Sequence, residues 1–487
     1  MTRLLLSPLL PVSFAFLLRF GFLHDWAFSV DEAYELYAVQ LPLRSMLQFL
    51  AHTDSHPPLY YLLLWLWTRL STPPTELFLR LPGALFGFLT VALAYPVLSP
   101  IITRRPALLA TYLLAFSPLL IRWSHEARMF SLATLLGLVS LHFLSASLQT
   151  NRMRHWLAYI LASAAGLYTM YAFALLLGAY AFSALLYRSS SVPSNLCRRV
   201  LPQMIPFLLF VPWLSFLSLQ AHRETVRVTW PDWAAALWTT HLLLLGPLPQ
   251  NTAPFKLIPV FCAAVAFLLG ARCLVAAPHA RPLLLGTVLP VLLAASISVR
   301  SEPLMRSHRV LLPVVPNLSA VLAAGAIHMG RPLLATTTGG ILILNVWSFG
   351  FLRRQWPYIS DFDKLTRFLS HNALDGDYYI AHPPWAAYAL RYYMKRYQIP
   401  GTVTPYSDRV QLTAIAQAIN GKRQVWLVYD NASRRTPYLR ALLSEAFGKP
   451  STVFFGNAVL MRYTHCPAQR DVTGPSSGCP DSSPRRQ

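Results

Sequence analysis

The sequence predicts an α-helical polytopic membrane protein, with about eleven transmembrane helices and a small extracytoplasmic α/β domain at its C-terminal end. Three observations carry that reading. Of 487 residues, 55% are hydrophobic and only 12% charged, far from the composition of a soluble domain. The apolar residues gather into stretches near the ~20 residues that cross a hydrocarbon core. After Phe351 the pattern changes, with more charge and short strand-like runs.

The first segment, Leu4 to Leu23, is apolar and has no small-residue cleavage site after it, so it reads as a retained first helix. Five basic breaks follow: Arg104-Arg105, Arg152 with Arg154, Arg188 with Arg198-Arg199, Arg272 with Arg281, and Arg331. Clustered arginine between spans marks the cytoplasmic side. With all five inside, residues 77–102 run inward, 106–122 outward and 127–148 inward, and 156–187 form a hairpin bent near Tyr168 to Tyr171. Residues 200–220 then run outward, 255–277 inward, 283–299 outward, 309–328 inward and 332–351 outward. The odd total puts the amino terminus in the cytoplasm and the carboxyl tail outside.

The same arithmetic makes residues 24–76 a large first outer loop. Its segment Pro57 to Thr72 is apolar but too short for a comfortable span and opens with two prolines, so it is expected to lie along or dip into the outer face. Ahead of it, Leu36, Val39, Leu43, Leu47 and Leu50 recur at helical spacing. They predict one interfacial helix from Tyr34 to Leu50.

Residues 1–352 thus form the membrane domain and 353–466 a soluble domain. In the latter, the strand-like runs Tyr378 to Ala381 and Gln424 to Tyr429 alternate with a helical run, Trp385 to Tyr397. Residues 467–487, rich in Ser, Pro, Gly and charge, read as disordered. Cys466 and Cys479 can bridge in an extracytoplasmic tail, and whether they do is left open by the sequence. The 41 basic against 19 acidic residues are mostly arginines in short loops, a pattern that sets topology and meets lipid headgroups rather than nucleic acid. No Gly-rich phosphate loop is present, which argues against a nucleotide donor.

The polar clusters that this topology leaves outside are Asp31-Glu32, Asp54 with His56, Arg122 to Arg128 with His125 and Glu126, His222-Arg223-Glu224, and Glu302 to Arg309 with Arg306. Ionisable groups against a bilayer are costly, so such clusters mark a site by default. A carboxylate there can take the proton of an acceptor hydroxyl as it attacks a sugar carbon, while arginines neutralise a departing phosphate through paired hydrogen bonds. The bland readings stand beside this one. Asp31 and Glu32 suit the first turn of a helix, His56 can simply end an extended segment before two prolines, and Arg128 can reach for headgroups.

Taken in order, Asp31-Glu32, His56-Pro57-Pro58-Leu59-Tyr60-Tyr61, Leu79-Arg80-Leu81-Pro82, Glu126-Ala127-Arg128-Met129-Phe130-Ser131-Leu132 and Arg309-Val310-Leu311-Leu312-Pro313 resemble the GT-C superfamily of polyprenyl-phosphate-sugar glycosyltransferases. Within it they are most similar to bacterial membrane proteins of the protein O-mannosyltransferase and lipid A aminoarabinose transferase kind (glycosyltransferase family 39-like). The resemblance implies a GT-C fold with membrane-lying helices in the first outer loop, an isoprenoid-phosphate sugar donor and inversion at the anomeric carbon. It implies Asp31 as the catalytic base with Glu32 beside it, and His56, Arg128, Arg306 and Arg309 as donor-phosphate ligands. Relatives often carry Tyr where Phe130 and Val310 stand, so this chain departs from the family pattern at those two positions.

Some relatives use a divalent metal and others do not, and Asp54, His56 and Glu126 are the candidates here. The implied partners are a polyprenyl-phosphate-linked sugar, membrane lipids and a lipid, glycan or protein acceptor, at the outer face of a bacterial inner membrane. A transporter or flippase of lipid-linked sugars is the alternative. Such proteins usually show internal repeats and mid-membrane charges, and this sequence shows no such symmetry.

Overall fold

A computed structural model describes residues 7–23, 26–70, 75–187, 196–221, 226–228, 240–247, 253–299, 302–303, 308–355, 361–407, 411–430, 437–464 and 485–486. The chain divides into two compact units, one of residues 1–23 with 38–352 and one of residues 24–37 with 353–487.

The first unit is helical and begins with α1 (Leu9–Phe20). In the first loop, α2 (Val30–Gln40), α3 (Leu43–Thr53) and α4 (Leu59–Thr68) follow, and only the end of α2, from Ala38, belongs to this unit. The single helix expected from Tyr34 to Leu50 is therefore two. Pro42 stands at the N-cap of α3 with φ −54° and ψ 146°. It cannot donate to a preceding carbonyl, and it holds the residue before it out of the helical region. Apolar spacing runs across that break unchanged, which is why spacing alone missed it. The ten-residue α4 is too short to span. It is tied back to the loop through the Trp65 indole N–H, which donates to the Leu41 carbonyl at 3.0 Å, and through the Arg69 guanidinium, 4.4 Å over the Trp65 ring.

Then come α5 (Glu76–Ile102), α6 (Arg104–Ala115), α7 (Pro118–Ser124), α8 (Phe130–Thr150), α9 (Met153–Thr169), α10 (Phe173–Leu186), α11 (Leu196–Ala221), α12 (Ala253–Ala276), α13 (Arg281–Ser296), α14 (Val315–Ala326) and α15 (Arg331–Gln355). Among the described residues six helical stretches are long and apolar enough to cross a membrane, or seven if α6 and α7, bent by 55°, count as one span. The sequence predicts eleven. Part of the difference lies in α1, α10 and residues 260–276, which are apolar but shorter. The chain is a multi-pass membrane protein. Prolines inside α5 and α11 are tolerated where neighbouring helices and local adjustments satisfy the freed carbonyls.

Close approach of helices here uses small residues, as lipid-embedded packing does. A Cβ on Gly325 of α14 would stand 1.7 Å from the Ala266 carbonyl oxygen of α12, and one on Gly270 2.0 Å from the Val321 carbonyl oxygen. A three-stranded antiparallel sheet joins β1 (Val226–Val228), β2 (Ile297–Val299) and β3 (Glu302–Pro303).

The second unit holds a six-stranded sheet of β4 (Tyr378–His382), β5 (Val403–Pro405), β6 (Gln424–Asp430), β7 (Ser451–Phe455), β8 (Ala458–Thr464) and β9 (Arg485–Arg486), in the order β5-β4-β6-β8-β7-β9. β4 lies parallel to both β5 and β6, and β8 antiparallel to β6 and β7. Parallel neighbours need a crossover, supplied by α17 (Ala386–Arg396) between β4 and β5 and α18 (Leu412–Ile419) between β5 and β6; α16 (Phe362–Asn372) precedes the sheet and α19 (Pro437–Phe447) follows β6. Ile380, Val425, Leu427, Val459 and Met461 pack with Ile415, Leu439 and Leu443 as its core. Residues 24–37, read from the sequence as part of the membrane domain, group with this unit. Of the tail read as disordered, Arg485–Arg486 pairs as a strand with Val453 and Phe454, and Cys466 and Cys479 lie outside the described residues.

Candidate functional site

In the first unit the site is built on the turn between α7 and α8. Gly83 and Gly87, one turn apart on α5, let that turn lie against the helix backbone. A Cβ on Gly83 would stand 2.9 Å from the Glu126 carbonyl oxygen, and one on Gly87 2.0 Å from Ser124 Oγ. The turn is closed by the Arg128 amide, which donates to the Glu126 carbonyl at 2.7 Å, and by Ser131 Oγ, which donates to the Trp123 carbonyl at 3.0 Å. Trp123 and Phe130 pack edge to face at 4.6 Å. Arg128, buried at the start of α8, is thereby fixed over the Phe130 ring at 5.9 Å. Arg309, on the 3-10 turn His308–Val314, reaches the same ring at 5.9 Å. The sequence places these two arginines on one face; the structure brings them to one side chain.

Facing Arg128 is the end of α3. His56 Nδ1 lies 2.8 Å from Asp54 Oδ1, which also accepts from the Ser55 amide at 2.6 Å, and the Tyr61 hydroxyl donates to Asp54 Oδ2. Burial alone would push the Asp54 carboxyl upward. The His56 imidazole and its hydrogen bond, the Arg128 charge and the Tyr61 hydroxyl outweigh it and hold the group at about 2. Asp54 is therefore an ionised, buried anchor between His56 and Arg128.

Sequence reasoning missed Tyr171, in the turn between α9 and α10. Burial raises its hydroxyl, and the nearby Asp54 charge raises it further. Tyr171 receives the Trp213 indole N–H at 2.8 Å and donates to Gln220 Oε1 at 2.5 Å, while Gln220 Nε2 donates to the Leu50 carbonyl at 3.1 Å, next to the Asp54 loop. Only the bend near Tyr168 to Tyr171 was legible in advance. Arg19 was also missed, because a lone arginine in an apolar helix gives no partner. Its Nη1 and Nη2 donate to the Ala115 and Leu114 carbonyls at the broken end of α6, at 3.2 and 3.1 Å. Arg80 Nη1 donates to the Leu23 carbonyl at 2.9 Å. Burial, and then the Arg19 and Arg80 charges, pull His125 down to about 4 against the opposing pull of a 2.9 Å bond to the Leu18 carbonyl. A carbonyl only accepts, so Nε2 carries the proton.

Asp31 and Glu32 belong to the second unit. Ser29 and Glu32 form a reciprocal cap of α2. The Ser29 amide donates to Glu32 Oε2 at 3.0 Å, and the Glu32 amide donates to Ser29 Oγ at 3.2 Å. Glu32 is buried and Asp31 half-buried. The Phe28 amide donates to the Tyr393 hydroxyl at 2.7 Å, which fixes the start of this helix within the unit. The bland reading of the sequence, an acidic helix start, thus describes Glu32.

Of the metal candidates, Asp54 and His56 bond each other, and Glu126 Oε1 stands 3.5 Å from Arg122 Nη2. Among the described residues no three His, Cys, Asp or Glu side chains gather into a ligand set. Arg306 and His222-Arg223-Glu224 lie outside the described residues.

Residues 55–216 match the family of dolichyl-phosphate-mannose-protein mannosyltransferases. That stretch holds His56, Tyr61, Arg80, the turn that carries Arg128, and Tyr171. No curated protein matches the sequence significantly. Over the fold, the chain is similar to ArnT from Cupriavidus metallidurans bound to undecaprenyl phosphate, with 12% identity, 93% of this chain and 97% of that chain covered, and a TM-score of 0.59. The apo state of that protein is matched with the same identity and coverage at a TM-score of 0.58. The apo oligosaccharyltransferase of Archaeoglobus fulgidus is matched at 12% identity over 95% of this chain and 75% of that one, with a TM-score of 0.49. The chain has an ArnT-like GT-C fold, as the resemblance read from its motifs implies.

Proposed function

We propose that this protein is an inverting glycosyltransferase that moves a sugar from a polyprenyl-phosphate donor to an acceptor hydroxyl at the outer face of a bacterial inner membrane. One observation carries the reading: Arg128 and Arg309, about 180 residues apart in sequence, converge on the Phe130 ring beside the ionised Asp54 and His56. Guanidiniums hold phosphate oxygens through paired hydrogen bonds. A phosphate ester presented by a membrane lipid offers such oxygens, and the similar ArnT binds undecaprenyl phosphate.

Arg128 and Arg309 hold the donor phosphate, with His56 fixed against Asp54 as a third contact. Asp31 accepts the proton of the acceptor hydroxyl as its oxygen attacks the anomeric carbon. The bond from that carbon to the phosphate oxygen breaks, and its electron pair leaves on the phosphate, where the arginines offset the charge. Attack opposite the departing phosphate inverts the centre. Glu32 holds the helix start that presents Asp31 and is a positioning residue. The amino terminus is cytoplasmic and residues 353–466 are periplasmic in this reading.

The test is transfer from a radiolabelled polyprenyl-phosphate sugar in reconstituted vesicles. Asp31→Asn is expected to stop sugar release while leaving expression and thermal unfolding unchanged. Wild-type turnover by that variant removes Asp31 from the mechanism, and movement of intact lipid without sugar release replaces the transferase with a flippase.

A further inference from the structure

The second unit carries an aromatic surface close to Asp31 that proton transfer does not use. On α17, Ala386, Ala387, Leu390, Tyr393 and Met394 face the core. Trp385, Tyr388 and Tyr392 follow one another at spacings of three and four on a different side, and neighbours at those spacings share a helix face. Trp385 is 51% exposed. Tyr388 meets Tyr34 edge to face at 5.4 Å, and Tyr37 at 4.6 Å with a tilt of 40°. Tyr37 is itself 37% exposed. At 1.5 Å of rise per residue, Tyr34 stands about one turn beyond Asp31 on α2, and Tyr37 about 9 Å along the axis. A surface helix ordinarily fills such positions with charged and polar residues.

We propose that Tyr37, Tyr388 and Trp385 form a shelf on which a sugar ring of the acceptor stacks, so that the acceptor is a saccharide. The inference rests on Asp31 as the base, because whatever lies on this shelf presents its hydroxyls within one or two sugar units of that carboxylate. A pyranose offers a face of polarised C–H bonds, which matches the negative faces of aromatic rings. Its hydroxyl edge matches polar tips such as those of tyrosine. A lipid chain is better matched by aliphatic side chains, whereas the exposed rings here are tyrosine and tryptophan. The shelf also belongs to the unit that holds Asp31, so acceptor and base are carried on one body.

The test uses the full-length protein in nanodiscs and a panel of neutral hexasaccharides (maltohexaose, cellohexaose, chitohexaose and mannohexaose), read by saturation-transfer NMR. At least one is expected to bind, and Trp385→Ala and Tyr37→Leu are each expected to weaken that binding tenfold or more. Trp385 is exposed, so its removal leaves the core intact. The proposal is overturned if none of the four binds, or if binding survives both substitutions. It is also overturned if brominated lipids quench Trp385 fluorescence and no hexasaccharide protects it, since the rings then form a membrane belt. A chain that binds sugar through Trp385 but never cleaves the lipid donor keeps the shelf and loses the transferase. A chain whose Trp385→Ala variant transfers sugar as efficiently as wild type keeps the transferase and loses the shelf.

Discussion

Replacing Asp54 by Asn removes one charge from the first loop and leaves its shape almost unchanged. The wild-type carboxyl is held at about 2 against 3.8 for the unperturbed group, with burial opposing and His56, Arg128 and Tyr61 prevailing. At ~1.4 kcal/mol per unit, that depression corresponds to about 2 kcal/mol of folding stability. The side chain is only 6% exposed, so solvent screening takes little from it. A group whose native pKa lies below its unfolded value stabilises fully above the unfolded pKa, and the contribution disappears as pH falls through the native one. The wild type therefore holds its whole advantage above about pH 4 and loses it toward pH ~2, whereas the neutral amide lacks it at every pH. Trp123 and Trp156 of the first unit are 4% and 5% exposed, so tryptophan fluorescence in a urea series reports opening of this unit. The expected outcome is a stability gap of about 2 kcal/mol near neutral pH that shrinks as the buffer is brought to about pH 3 and below. Equal stability near neutrality, or a gap that stays constant down the pH series, refutes the charge balance argued for this loop.

Three further outcomes test other parts of the structure. Ser29→Ala removes one arm of the reciprocal cap and is expected to cost about 1 kcal/mol, read as faster amide exchange at residues 30–33; unchanged protection there refutes the cap. Gly325→Ala forces a methyl to within 1.7 Å of the Ala266 carbonyl oxygen, so α12 and α14 must part, at a cost of about 1–3 kcal/mol in the same fluorescence assay. No loss would mean that the two helices sit further apart than described. Arg128→Lys keeps the charge but loses the planar fork, and is expected to weaken binding of a fluorescent polyprenyl phosphate tenfold or more, whereas undiminished binding takes Arg128 out of the phosphate site.

How much of this was legible in the sequence depends on whether a feature is local. Strands β4 and β6 were readable as short apolar runs because each is buried by its own residues, and α17 by its helical spacing. The break at Pro42 was local too, but apolar periodicity continued across it and hid a residue that cannot carry the helix on. Assignment of residues 24–37 to the second unit was not legible at all. It depends on Phe28, Tyr34 and Tyr37 meeting Tyr392 and Tyr388 more than three hundred residues away, and a run of tyrosines in α17 reads equally well as a membrane-belt sequence. Arg19 and Tyr171 were missed for the same reason: the partners of one are backbone carbonyls and those of the other are Trp213 and Gln220, and neither set leaves a mark in the chain near them.

Asp31 and Asp54 show why a list of charged residues does not assign roles. By resemblance the sequence implies Asp31 as the base and offers Asp54 only as a metal candidate beside His56. In the structure Asp54 is saturated by Ser55, His56 and Tyr61 and held at about 2. A carboxylate that far below working pH is a poor proton acceptor, because general-base catalysis is most effective when the base is poised near the operating pH. Asp54 is thus suited to serve as fixed charge, and Asp31 stays the base proposed above. If the pH profile of transfer by the Asp54→Asn variant keeps its acid limb where the wild type has it while the rate falls, the division of labour stands. If the acid limb vanishes with Asp54, the base has been assigned to the wrong residue.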